Sequence, residues 1–394
     1  MKNRMGSGGE RLQNQRGMVL FTSLAILTVL VAVGIGIRVM LQNDYKILSN
    51  LRGSTEAFYV SVAGLEWSKD EIAQTASFPP APVNRVKNFA AGEFAVSFLS
   101  PTVVSPLAAK LVVRSVGAIG SSSHALQAQL TKTYDLADAA IALRGNASRV
   151  SFSGNSVFIS GADHDPSTGN AVTGAKARYA ISTSDDTLRG QVVQTLGDSP
   201  PQSIVDSNSA APGVAASGFL PASMISQLAN DLCGSSTAFV SAIPSGGSLI
   251  VENQTWGSQA APQLRCIEGL PTAGDGATLT GTISGAGILI IKDAELILTG
   301  SFHWEGLIII TGGEVALKVL GSSNKEILGA VIVNESGSPG STSAILDIQG
   351  NLRLLFSRQG LTRAAGLVPT PTLGNIYAVL PSAVSQQYWR TVSP

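Results

Sequence analysis

An α+β fold is predicted for these 394 residues. It has a long N-terminal membrane helix, a small β-sheet, and a β-rich C-terminal body shaped as a right-handed parallel β-helix-like solenoid, with a β-sandwich as the alternative. Three observations predict it. Met18 to Ile37 is a run of 20 residues with no charge. An apolar stripe at helical spacing continues past that run to Leu65. In the second half, glycine-led apolar quartets recur at intervals of 19 and 23 residues.

Composition agrees with an exported, turn-rich chain. Charged residues are 13% of the total, against about 25% in an ordinary soluble domain. Lys plus Arg number 26 and Asp plus Glu number 26, so there is no global electrostatic reason to bind nucleic acid. Gly is abundant, at 42 residues. The two cysteines, Cys233 and Cys266, are a disulfide candidate in an oxidising compartment, contributing about 3–4 kcal/mol by loop entropy.

The first element is the helix. At 1.5 Å per residue, the uncharged run spans about 30 Å, the thickness of a bilayer core. Lys2, Arg4, Arg11 and Arg16 precede it against the single acid Glu10, which leaves residues 1–16 cytoplasmic and sends the body outward. A cleavable secretory signal has a shorter apolar core and a small-x-small site, which Gly34-Ile35-Gly36-Ile37-Arg38 does not provide. A plain uncleaved anchor is the other competitor. Ile37, Leu41, Leu48, Leu51, Phe58, Val62 and Leu65 form one stripe, so Met18 to about Ala73 reads as a single helix of about 80 Å. Pro79, Pro80 and Pro82 end it.

The stretch Gln15-Arg16-Gly17-Met18-Val19-Leu20 resembles the class III signal of type IV pilins. The resemblance implies cleavage by prepilin peptidase between Gly17 and Met18, with methylation of the new N-terminus. Ala57-Phe58-Tyr59-Val60-Ser61-Val62-Ala63-Gly64-Leu65-Glu66 is similar to the signature that closes the N-terminal region of PilX-type minor pilins, with Val62 where a glutamate is usual. Major pilins carry a glutamate at the fifth mature position; here that position is Thr22. Over residues 15–70, the resemblance implies a minor, tip-proximal subunit. Its partners would be other pilins and minor pilins, prepilin peptidase, the inner-membrane assembly platform and membrane lipid. It implies a single-pass protein of the bacterial inner membrane, N-terminus cytoplasmic, body periplasmic or on the cell surface.

The divisions that follow are a leader over 1–17, the helix over 18–75, a small β domain over 76–138, and the β-rich exported domain over 139–394 with an excursion at 195–270. Glu93 to Phe98, Lys110 to Val116 and Ala125 to Thr133 alternate apolar and polar residues as half-buried strands do. Gly287, Gly306 and Gly329 each open an apolar quartet, as glycines at the corners of stacked turns would. Asp198 to Ala216 reads as a loop, and Pro221 to Leu232 as a short helix.

Catalysis finds little in the sequence. His124, His164 and His303 have no metal-binding spacing, and Asp293, Glu295, Glu305 and Glu314 are dispersed rather than clustered. Asp163, Asp165 and Asn170, around His164, are the one candidate for Ca²⁺, but they lack the twelve-residue loop and its bidentate glutamate, and a polar turn is the simpler reading. No cofactor is expected. The leading expectation is a non-enzymatic pilus or pseudopilus subunit serving assembly, initiation or adhesion. A membrane-anchored β-helix adhesin outside any pilus is the second, and a glycan-active enzyme the third.

Overall fold

Glu10–Gln74 is one continuous helix, α1, in the computed structural model. The structure describes residues 10–89, 92–145, 149–154, 156–175, 177–198, 203–205, 213–270, 275–336 and 345–393. The N-terminal part of α1 is long and apolar enough to cross a membrane, and nothing in the structure covers it.

Five strands follow: β1 (Arg85–Phe89), β2 (Gly92–Phe98), β3 (Thr102–Ser105), β4 (Ala108–Ile119) and β5 (Ser122–Tyr134). They pair antiparallel, and one face of their sheet packs on the second half of α1. Alternation dictates which face. Phe94 and Val96, Leu111 and Val113, and Leu126, Ala128 and Leu130 meet Val60, Leu65 and Ile72 of the helix.

The body opens with β6 (Ala139–Gly145), β7 (Val150–Phe152), β8 (Val157–Ser160) and β9 (Tyr179–Thr183). Next come α2 (Asp186–Asp198), β10 (Ser203–Val205), β11 (Val214–Ala216) and α3 (Ala222–Cys233). The chain then alternates between two parallel sheets. One takes β12 (Ala238–Ala242), β14 (Thr255–Trp256), β15 (Gln263–Glu268), β17 (Thr282–Lys292), β19 (Ser301–Gly312), β21 (Lys325–Glu335) and β23 (Leu352–Phe356). The other takes β13 (Ser248–Glu252), β16 (Gly276–Thr280), β18 (Glu295–Leu298), β20 (Leu317–Val319) and β22 (Leu346–Ile348). Side chains from both sheets share one hydrophobic core. The early strands β7 and β8 join the two sheets beside β22 and β23.

Gly287, Gly306 and Gly329 lie side by side in register on β17, β19 and β21, with φ of 124°, 127° and 157°. After them, Ile288–Ile291, Leu307–Ile310 and Ala330–Val333 are buried on both faces, as parallel strands covered on both sides are. The outer cover is α3 and the later helix α4 (Arg358–Ala365). Cys233, at the end of α3, is disulfide-bonded to Cys266 on β15.

Three features differ from the sequence reading. The stretch read as a loop over 198–216 contains β10 and β11. After α4 and α5 (Thr370–Ile376), the last strand, β24 (Ser382–Val392), leaves the body and pairs antiparallel with β5 of the first sheet. The apolar stripe also changes character along α1. Ile37, Leu41, Leu48 and Leu51 are more than half exposed, whereas the buried line is Ala57, Val60, Ser61, Gly64, Leu65, Ser68 and Ile72. Large residues line the free part of the helix, and in the part that touches the sheet small residues alternate with Val60, Leu65 and Ile72.

Candidate functional site: the long helix and its seat

The free half of α1 is apolar all round, with Met18, Leu20, Phe21, Leu24, Ile26 and Leu30 exposed. Its few hydroxyls are satisfied within the helix. Thr22 Oγ1 donates to the carbonyls of Met18 (2.9 Å) and Val19 (3.0 Å), and Ser23 and Thr28 bond back in the same way. A polar group that closes on its own backbone costs little in an apolar medium. Thr22 therefore fits an apolar run and carries no charge. The helix runs unbroken through Gly17 and Met18; the leader residues before Glu10 lie outside the described residues.

The seat is built by removing side chains. A Cβ on Gly117 of β4 would lie 2.3 Å from Ala57 O and 2.4 Å from Ser61 N. A Cβ on Gly64 would lie 2.2 Å from Ser115 Oγ and 3.1 Å from the Phe94 ring. Helix and sheet backbones thus approach as closely as glycine allows. Ser61 Oγ donates to Phe58 O (2.7 Å) and Ser68 Oγ to Gly64 O (2.6 Å), so the buried hydroxyls need nothing from the sheet. The residues that carry the minor-pilin resemblance, Ala57 to Glu66, are the ones that make this contact.

Lys132 of β5 closes the end of the helix. It is 1% exposed, and its Nζ donates to the carbonyls of Ile72 (2.7 Å), Ala73 (3.1 Å) and Thr75 (2.6 Å). The Ile72 and Ala73 carbonyls lie in the last turn of α1 and that of Thr75 just past it, at the end of the helix that favours a cation; Ile72 O also accepts from Thr75 N (3.3 Å). Burial pushes the Lys132 ammonium down to about 8, which leaves it largely charged at neutral pH. The sequence carried a signal for this residue. Lys132 falls in the buried phase of Leu126, Ala128, Leu130 and Tyr134, where a charge demands partners.

Past the seat, charged groups tie the first sheet to the body. Asp135 is 2% exposed and accepts from Arg178 and from Arg358 Nε (2.7 Å); Arg358 also donates to Asp163 through its backbone N (2.8 Å) and Nη1 (3.1 Å). Asp138 accepts from Arg144 Nη2 (3.0 Å) and Ser182 Oγ (2.9 Å). The Ca²⁺ candidates are consumed by such contacts. Asp163 belongs to Arg358, Asp165 accepts from Ser167 N (2.8 Å) and Oγ, and the Asn170 carbonyl accepts from Asp165 N (2.9 Å). Among the described residues, no group of three His, Cys, Asp or Glu is placed to hold a metal ion.

On β19, His303 Nε2 lies 3.3 Å from Glu305 and Nδ1 lies 3.2 Å from Glu326 on β21. The hydrogen bond to Glu305 raises the imidazole above its ordinary value against burial, and Glu326 adds to the rise. Burial pushes Glu305 up, but the bonds from His303 and Gln259 outweigh it and hold the carboxyl below its usual range. A raised histidine contributes stability that is complete below 6.5 and lost as pH climbs through the folded value. A lowered glutamate contributes above 4.5 and loses it as pH falls through the folded value. Stability is therefore expected to gain its full His303–Glu305 contribution between pH 4.5 and 6.5. The pair is partly exposed, so the gain is about 0.2–1 kcal/mol. Urea midpoints of wild type and His303→Gln across pH 4–8 check it; parallel curves would show no contribution.

No family model matches the chain, and no curated protein matches it. Among solved structures, the chain is similar to the competence-associated pilin ComZ from Thermus thermophilus. The likeness has 13% identity over 86% of this chain and 97% of that one, with a TM-score of 0.25. A likeness at that level carries no argument about fold or role.

Proposed function

We propose that the chain is a minor pilin-like structural subunit of a type IV pilus or related pseudopilus. One observation carries the reading: within α1 a lipid-length uncharged run begins directly after Gly17 and its basic leader, and the far half of the same helix is seated on an antiparallel sheet through the Ala57–Gly64 segment. Cleavage after Gly17 would remove the basic leader and leave the whole apolar run as an anchor. The free half of α1 would then join neighbouring helices, first in the inner membrane and then in a filament. Thr22, closed on its own backbone, supplies no carboxylate to pair with a neighbour's N-terminal amine, which suits an initiating or tip-proximal subunit better than a shaft subunit. We read the alternating parallel sheets as a β-helix-like solenoid projecting from the filament, with no bond chemistry of its own.

The experiment is mass spectrometry of the membrane-extracted protein. Processed wild type is expected to begin at Met18 with a methylated amine, and Gly17→Val to retain the leader and lose surface display. An intact leader on wild-type protein would sink the reading. An anchored adhesin outside any pilus is the second reading, favoured by a Gly17→Val variant displayed as well as wild type.

A further inference from the structure

The two parallel sheets of the body finish differently at their two ends. At one end α2 packs against β7, β9 and β11, and its Leu188 and Val192 are buried in the core. At the other lie β12 and β13, each with a strand neighbour on one side only among the described residues. Phe239 and Val240 of β12 and Ile250 of β13 are half exposed or more, the most exposed large apolar side chains of the body among the described residues. A cavity of about 310 Å³ lies between the two edges, lined by Phe239, Ser241, Leu249, Val251, Trp256 and Ile267. The core thus reaches the surface here, where stacked repeats ordinarily carry a polar cap.

Chemistry narrows what covers it. Exposed edges are normally guarded by charge, proline or a bulge. β12 reads Ala-Phe-Val-Ser-Ala, and from Leu232 to Leu264 the sole charged residue is Glu252. A face so nearly uncharged meets its own copy without the repulsion that a face of one sign would suffer. A two-fold axis crossing both sheets at mid-strand sets β12 antiparallel to β12 of a second copy, and β13 antiparallel to its β13, so one operation extends both sheets. Pairing centred on Val240 and Ile250 places Glu252 opposite Ser248 and about 14 Å from the other Glu252, at about 3.4 Å per residue. Arg265, one strand further in, bonds to Gln263 Oε1 (3.2 and 3.1 Å) and lies 4.3 Å over the Phe239 ring. The two copies' guanidiniums would sit three strand spacings, about 14 Å, apart. Both separations exceed the screening length of about 8 Å in physiological salt. Strands of five residues, about 17 Å long in sheets about 10 Å apart, outline with their side chains an end face of about 500 Å². Two such faces bury about 1,000 Å², the lower bound for a specific interface. Because α2 occupies the far end, each chain offers one such face and association closes at two. We propose that the β12–β13 end is a homodimer interface, at which a second copy of the chain caps the core and continues both sheets across an antiparallel seam.

The test is light scattering of the full chain in detergent micelles, with engineered cysteine pairs as the local readout. Two chains per particle are expected at about 10–100 μM protein, the range an interface of this size supports. Val240→Cys and Ile250→Cys should each cross-link to the same residue of the second copy under mild oxidation. Directly opposed antiparallel residues have Cα atoms about 4.5–5.5 Å apart, within disulfide reach. Val172→Cys, exposed beside Asp163 and away from this end, should not cross-link. Adding Val240→Lys to the Ile250→Cys chain should cut its cross-linking at least tenfold, a result that association through α1 cannot mimic. Circular dichroism of each variant checks that it is folded. The proposal is overturned if wild type holds one chain per particle, if Val240→Cys cross-links no more than Val172→Cys, or if folded Val240→Lys leaves the Ile250→Cys cross-link intact. Such a failure leaves the filament reading untouched, because N-terminal processing is measured separately.

Discussion

Gly306→Ala is expected to destabilise the body by about 3–5 kcal/mol. Two costs add. The residue has φ of 127°, where an L side chain is strained by about 1–3 kcal/mol. Its Cβ would lie 2.2 Å from the Gly287 carbonyl oxygen and 3.1 Å from the carbonyl carbon, a backbone contact that no rotamer change relieves, costing about 1–3 kcal/mol more. Against a typical stability of about 5–15 kcal/mol, the loss is severe. Trp304 is fully buried two residues away, so its fluorescence in urea reports the transition. Two controls separate the costs. Gly321→Ala keeps only the backbone strain, with φ of 77° and its nearest atom at 3.5 Å, and should lose about 1–2 kcal/mol. Gly190→Ala on α2 meets nothing within 4 Å and should gain about 0.5–1 kcal/mol. A Gly306→Ala loss below 1 kcal/mol would refute the close approach between strands.

The second large effect belongs to Lys132. Lys132→Met keeps most of the side-chain volume and removes three bonds to carbonyls at the end of α1. A buried carbonyl left without a donor costs about 1–3 kcal/mol. The Ile72 carbonyl is buried but keeps a bond from Thr75 N (3.3 Å), and the other two are only partly buried, so hydration recovers part of the loss and about 1–3 kcal/mol is expected. The effect should be local: amide exchange over the last two turns of α1 should accelerate, while the paired core of β17, β19 and β21 stays protected. Uniform protection across α1 would show that the ammonium is not what holds its end.

What was legible in the sequence is what local pattern encodes. The uncharged run to Ile37 announces an apolar helix by length alone. Gly287, Gly306 and Gly329 announce a repeat, and the register places them side by side inside β17, β19 and β21 rather than at the corners between strands. Pro221 and the residues after it announce α3. The seat of α1 was harder to see. Counting large apolar residues selects Leu41, Leu48 and Leu51, which are exposed, whereas contact is made where side chains are small enough for backbones to touch, at Ala57, Ser61, Gly64 and Gly117. Pairing across long separations leaves no local mark. Ser382–Val392 falls within the stretch assigned to the body, and nothing in its own residues says that it forms a strand beside Ser122–Tyr134. Around Asp163-His164-Asp165 the spacing is local but the partner is not: Arg358, far along the chain, donates to the first carboxylate.

The return of β24 to β5 imposes an order of events on folding. Antiparallel pairing from Ser382–Tyr134 to Val392–Ala125 cannot begin until every residue between the two strands has been made. Through that interval β5 presents an open edge, a ready template for unwanted association. The platform that holds α1 is therefore finished last, after the much larger body has emerged. A chain stopped anywhere before residue 382 would carry α1 on an incomplete sheet with β5 as an open edge.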